Sequence, residues 1–267
     1  MTNMIPLADW PAQDRKTIAG IFTDIDDTLT ENGRIAASVY NAMERLQSAG
    51  LLVIPITGRP AGWCDMIART WPVDAVVGEN GAFYFQYDGV NRQMVRRYME
   101  TPEKRSENQH RLNTIRDEVL AAVPGAAVAA DQAYRENDLA IDFAEDVAPL
   151  SEGEIDRIAS IFEKHGAMAK VSSIHVNGWF GQYDKLVMTK LLMSEVFSVD
   201  VDEERQRFVF IGDSPNDAPM FAFFSDAVGV ANLRDFTDRC AALPRWITSN
   251  TRGDGFCELT EALLAVR

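Results

Sequence analysis

The sequence predicts an α/β protein whose doubly wound, Rossmann-like parallel-sheet core is interrupted by an inserted α+β domain. Three observations carry this expectation. Apolar runs of strand length alternate with helix-spaced segments over residues 18–87 and again after Gly181. Residues 88–180 differ, with helices interleaved with hairpin-like strands. Polar groups gather where the apolar runs stop, as expected at the carboxyl ends of parallel strands. The core is therefore expected over 1–87 and 181–267, and the inserted domain over 88–180.

The first run, IAGIFTDIDDTLT from Ile18, reads as a buried strand that ends on Asp24, Asp26, Asp27 and Thr28. Apolar residues at helical spacing follow over Ala37 to Ala49, with Gly50 as a stop. LLVIPIT (51–57) is a second buried strand, Gly62 to Thr70 a short helix, and Ala75 to Val77 a third strand leading into Gly78-Glu79-Asn80-Gly81. In the insertion, helices are expected at Glu103–Val123 and Glu152–Lys164, and strands near Ala126–Ala129, Leu139–Phe143, Ala167–Val171 and Ile174–Asn177. The core resumes with a helix over Lys185 to Phe197 and a buried strand over Arg207 to Ile211, then a helix over Pro215 to Phe224. Strands at Ala227–Val230 and Trp246–Thr248 and a closing helix over Cys257–Val266 complete it.

Composition narrows the function. With 267 residues, 46% of them hydrophobic and 25% charged, the chain can bury a sizeable core. A formal net charge of −14 opposes electrostatic binding to nucleic acid or an anionic membrane, but not a small anion held by local groups. Cys64, Cys240 and Cys257 fit unpaired thiols in a reducing compartment, and the three histidines make no helical metal pair. The first residues, MTNMIPLADWPAQDRK, lack a basic segment followed by a long apolar core, so a soluble cytoplasmic protein is expected.

Carboxylates crowded at a strand end repel one another, so a site holding them usually supplies a divalent cation or lets one carry a proton. Taken alone, the Asp24–Thr28 cluster reads first as a solvated acidic turn; partners elsewhere decide. The strand 51–56 ends in Thr57-Gly58-Arg59, a hydroxyl and a close backbone approach suited to phosphate oxygens. The strand 207–211 ends in Gly212-Asp213-Ser214-Pro215-Asn216-Asp217, and Lys185 opens its own helix between them.

In this order and placement the segments DIDDT (24–28), TGR (57–59), Lys185 and GDSPND (212–217) resemble the four motifs of the haloacid dehalogenase superfamily of phosphatases. GENGA (78–82) and GFCEL (255–259) resemble its Cof-type, sugar-phosphate phosphatase branch, and the insertion lies where class II members carry a cap. The resemblance implies that Asp24 is the nucleophile of an aspartyl-phosphate intermediate and Asp26 the general acid and base. It further implies Mg2+ held by Asp24, the main-chain carbonyl of Asp26 and Asp213. Thr57 and Lys185 would hold phosphate oxygens, with Gly58, Arg59, Asn80 and Asn216 around the substrate and Asp217 orienting Lys185. Asp27 stands where many members have glycine, which implies altered loop packing rather than lost activity.

Two polar clusters of the cap, Tyr134–Asp138 and Ser172–Trp179, could read the organic part of a substrate. Arg135 suits a second anionic group such as a carboxylate, or an internal ion pair with Glu136 or Asp138. His175 and Asn177 are further candidate contacts, His175 equally a hydrogen-bonded residue of the cap–core junction. His110 and His165 read as solvated helix residues, and Trp63, Trp71 and Trp179 as core or pocket wall. The expected activity is Mg2+-dependent hydrolysis of a small phosphorylated metabolite, most simply a sugar phosphate. Phosphotransfer or mutase chemistry on sugar phosphates and non-catalytic phosphometabolite binding are the alternatives. Oligomeric state is not encoded in these patterns.

Overall fold

A computed structural model of the chain describes residues 4–172 and 174–267; Met1–Asn3, and Ser173 of the second cap cluster, lie outside the described residues. At its centre is a six-stranded parallel sheet in the spatial order Ile5–Pro6, Trp246–Ile247, Val228–Gly229, Phe208–Gly212, Gly20–Thr23, Leu52–Pro55. Successive strand residues face opposite sides, and the apolar runs use both. Ile21, Val53, Val209 and Ile211 pack with residues of the helices Ala37–Ser48, Ala61–Thr70 and Arg252–Leu264. Phe22, Ile54, Phe208 and Phe210 pack on the other side with the helices Lys185–Phe197 and Ala218–Phe223.

The sheet reverses its winding direction between Gly20–Thr23 and Phe208–Gly212, which are paired in register from Gly20↔Phe208 to Thr23↔Ile211. Asp24 and Asp213 leave these two neighbouring strands at their carboxyl ends. That is the switch point where open α/β sheets form a ligand crevice.

The inserted segment builds a second layer. Its antiparallel sheet has the order Met168–Val171, His175–Trp179, Leu139–Asp142, Ala127–Val128, and the helices Pro102–Ala122 and Glu152–Lys164 share a separate apolar cluster with it. The hairpin Phe83–Asp88/Gln93–Tyr98 is not part of that layer: it pairs with Val76–Gly78, which meets the central sheet through the bridge Ile56↔Val77. Phe83 and Phe85 belong to the core cluster. The second hairpin strand exposes Arg96 and Arg97, which explains its loop-like sequence texture.

Other differences are local. The 215–224 helix is a 3-10 turn, Pro215–Asp217, followed by the helix Ala218–Phe223, and the last helix begins at Arg252 rather than Cys257. The strand Ile5–Pro6 and the 3-10 helix Ala231–Arg239 were not expected. No helix among the described residues is long and apolar enough to cross a membrane.

Candidate active site

The four strand-end segments converge. Asp24 Oδ1 accepts from Lys185 Nζ at 2.6 Å, and Lys185 reaches Asp217 Oδ1 at 2.7 Å, all three side chains being buried. Asp24, Asp213 and Asp217 each offer a carboxylate oxygen, and these atoms all lie within 4.8 Å of one another. Burial pushes the Asp24 carboxyl up to about 8, with Lys185 pulling against it and Asp217 and Asp26 adding to the rise. Burial and the Asp24 charge also drive Asp213 far above the usual carboxylate range. For Lys185, burial works against the ammonium, and Asp217 and Asp24 more than offset it. One ammonium among three crowded carboxylates leaves negative charge uncompensated, the situation a divalent cation with oxygen ligands relieves.

Local sequence fixes these positions. Lys185 opens a helix whose N-cap, Asp184, accepts from Val187 N at 2.8 Å. Gly81, at φ +105°, packs against the Asp184 carbonyl, where an added Cβ would come within 2.0 Å. Ser214 and Asp217 form a capping box, in which Asp217 Oδ2 accepts from the main-chain N–H groups of Asp213 and Ser214 at 3.2 and 3.4 Å. Asp217 therefore holds the acidic loop with one oxygen and Lys185 with the other. Thr28, which the sequence placed at the strand end without a role, donates to Asp213 Oδ1 at 3.3 Å.

Arg59 is central to the arrangement. It donates to Asp26 through Nε at 3.0 Å and Nη2 at 2.8 Å, reaches Glu145 of the cap at 3.0 Å, and lies 4.5 Å over the Trp63 ring. Burial opposes its charge, but Asp26 and Glu145 outweigh burial and raise its pKa. His175 Nε2 stands 3.0 Å from Glu145 Oε2, a close contact without hydrogen-bond alignment. His175 and, against partial burial, Arg59 hold Glu145 down at about 2.

Asp24, Asp26, Gly58, Arg59, Asn80, Arg135, His175, Asn177 and Asn216 line one cavity between core and cap. Its volume is about 30 Å³, against roughly 300 Å³ or more for ordinary ligand pockets. Thr57 stands behind the lining: fully buried, its hydroxyl accepts from Arg59 N at 3.0 Å. Asn216 Oδ1 accepts from Ser214 Oγ at 2.6 Å.

The candidate cap residues line the cavity and are also held by partners within the protein. Arg135 borders the cavity, but its fork is occupied by Asp131 at 3.0 Å through both Nε and Nη2, by Asp138 at 3.1 Å and by the Gly58 carbonyl at 2.9 Å. Glu136 pairs instead with Arg105. Asn177 Nδ2 donates to Asp138 at 3.0 Å. His175 takes the junction position that the sequence left open, beside Glu145. His110 and His165 sit on helix surfaces, and Trp179 is buried against Tyr183.

Glu79 is the residue that sequence reasoning passed over. With Asn80 it holds a left-handed backbone, at φ 44° and 55°. Its fully buried carboxylate accepts from Ala61 N in the core and from Glu136 N, Asn137 N and Asn137 Nδ2 in the cap, all at 2.7 to 3.0 Å. The signal was a lone acid inside the apolar run VVGENGAF. Burial, helped by Asp138 and opposed by Arg135, pushes Glu79 up to about 7. A carboxyl that keeps its proton longer when folded adds stability below pH 4.5, and this is lost as pH rises through 7, a swing of about 3 kcal/mol. Glu79→Gln is expected to flatten that part of the slope, measured by denaturant titration at pH 5 and pH 8; an unchanged slope would remove Glu79 as its source.

Asp27 also acquires a role. It adopts φ 55°, the conformation glycine takes without cost, and pairs with Arg252 at 2.9 Å. Asn232 Nδ2 donates to its carbonyl at 3.1 Å. Asp27 thus fixes the loop to the last helix and stands outside the Asp24–Lys185 cluster.

Residues 21–145 match the family model described as haloacid dehalogenase-like hydrolase. No curated protein matches the sequence. Among solved structures, Thermoplasma acidophilum 0175 is 18% identical, with a TM-score of 0.71 and coverage of 94% of this chain and 99% of that one. Sucrose-phosphatase from Synechocystis sp. PCC6803, solved with sucrose and phosphate, is 13% identical, with a TM-score of 0.63 and coverage of 93% and 98%. The subclass IIB sugar phosphatase BT4131 is likewise 13% identical, with a TM-score of 0.61 and coverage of 93% and 99%. At such identities the likeness is one of fold. Residues 21–145 thus resemble the haloacid dehalogenase-like hydrolases in sequence, and nearly the whole chain shares the fold of these solved structures.

Proposed function

We propose that the protein is a Mg2+-dependent phosphomonoesterase acting on a small phosphorylated metabolite, a sugar phosphate or close relative, through an aspartyl-phosphate on Asp24. The observation that carries this reading is the buried cluster of Asp24, Lys185, Asp213 and Asp217 at the sheet's switch point. Its uncompensated charge fits a divalent cation. Asp24, Asp213 and the main-chain carbonyl of Asp26 would hold the ion, which when bound supplies positive charge to the phosphoryl oxygens.

Asp24 attacks phosphorus as the bond to the leaving oxygen breaks, and Asp26 gives that oxygen a proton. Water then attacks phosphorus, Asp26 takes its proton back, and the Asp24–phosphorus bond breaks to release phosphate. Lys185 offsets the repulsion between Asp24 and the incoming phosphate, and the Thr57 segment binds its oxygens. Arg59 aims the Asp26 carboxylate and must loosen its fork before Asp26 can hold a proton. Residues 1–87 and 181–267 form the catalytic core under this reading and 88–180 the cap, with the hairpin to Tyr98 staying on the core. A cavity of about 30 Å³ admits a metabolite only after the two layers separate.

The test is phosphate release across sugar phosphates, phosphoglycerates and nucleotides. Removal of divalent ions with EDTA is expected to abolish turnover and added Mg2+ to restore it. Turnover indifferent to EDTA would sink the metal assignment, and no turnover on any substrate would favour a binding protein.

A further inference from the structure

Beside the catalytic cavity runs a groove of about 300 Å³ that shares Ser172, Ser214 and Asn216 with it. Its walls come from both layers, the cap strand Met168–Val171 on one side and the end of the 3-10 helix Ala231–Arg239 on the other. Two side chains in its lining are cationic, Lys170 and Arg239, and none is acidic. In a chain of net charge −14 this is a local inversion of sign. Neither cation is used up by the fold. Among the described residues Lys170 has no carboxylate within 4.0 Å, and Arg239 has only Glu152 at 3.9 Å, which is 86% exposed.

We propose that this groove is a specificity subsite for a second anionic group, carboxylate or phosphate, at the end of the substrate remote from the transferred phosphoryl group. The inference rests on the phosphatase reading above and deepens it. It moves to Lys170 and Arg239 the role that the sequence suggested for Arg135, whose fork is occupied by Asp131, Asp138 and the Gly58 carbonyl. Asn216 lines both spaces, so a ligand whose phosphate lies beside Asp24 would pass Asn216 to reach the two cations. A planar guanidinium and a mobile ammonium on opposite walls can grip one anion from both layers, so that anionic ligands also draw the cap towards the core.

The test compares 6-phosphogluconate with sorbitol 6-phosphate, acyclic probes that differ in bearing a carboxylate or a hydroxymethyl group at the far end. Each is used as a competitor of p-nitrophenyl phosphate hydrolysis. The wild type is expected to bind 6-phosphogluconate about tenfold more tightly, an advantage that shrinks at high salt. Lys170→Gln combined with Arg239→Gln is expected to bring the two inhibition constants to within about twofold, whereas Lys170→Arg keeps the preference. Equal inhibition by the two probes in the wild type, or a preference that survives the double substitution, overturns the subsite. Failure to hydrolyse p-nitrophenyl phosphate above the Asp24→Asn blank counts instead against the phosphatase reading. The same two ligands are then compared by calorimetric titration, with the same ratio deciding the subsite.

Discussion

Asp24→Asn is expected to lower phosphate release by about 10⁴-fold or more while leaving the protein folded. The amide keeps the side chain's shape but cannot attack phosphorus, and the neighbouring Lys185 and Asp217 stay in place. Stability should not fall with activity. Burial raises the Asp24 carboxyl to about 8, so this group adds stability below its ordinary value and loses it as pH climbs towards 8. The neutral variant escapes that loss. In metal-free buffer at pH 8 it is expected to melt at or above the wild-type temperature by calorimetry. Turnover within tenfold of wild type would reject Asp24 as nucleophile, and a clearly lower melting temperature would make its main contribution structural.

Arg135→Met carries the largest expected loss of stability, about 3 to 5 kcal/mol, because it strands buried carboxylates without their cation. Asp131 and Asp138 both point at the guanidinium from the cap side, and the Gly58 carbonyl meets it from the core. Methionine fills much of the volume and removes the charge, so the experiment isolates the ionic contribution. Chemical denaturation at pH 7 measures it. If Arg135 instead binds substrate, the variant will unfold like the wild type and show only a raised KM, the other of the two roles that the sequence left open.

These two residues mark what could and could not be read from the chain. Asp24, Thr57, Lys185 and Asp213 were legible because each terminates or opens an element with strong local signals: a buried run, a Thr-Gly turn, a helix start, a Gly-Asp turn. Convergence at the switch point then follows from parallel-sheet topology. Arg135, His175 and Asn177 carried no such constraint. Their partners Asp131, Asp138 and Glu145 come from the ends of antiparallel strands and turns, and cap register cannot be read from a polar cluster. Glu79 was missed because its importance lies in four N–H donors brought together by tertiary structure. The strand Ile5–Pro6 is too short to leave a period, and the strand Gln93–Tyr98 exposes enough arginine to resemble a loop.

The Glu79 carboxylate, joined by Arg135 and the Gly58 carbonyl, fastens the segment 131–138 to the core along one margin of the cap. Across the cavity, the margin bearing Lys170 and Arg239 has the long Arg239–Glu152 pair. Arg59 adds a second fastening, to Glu145 of the cap at 3.0 Å, so the cover is sewn down by ion pairs and hydrogen bonds away from the groove. Under the proposed reading a metabolite would enter and phosphate leave there, and the first charges met on entry would also be the last left behind.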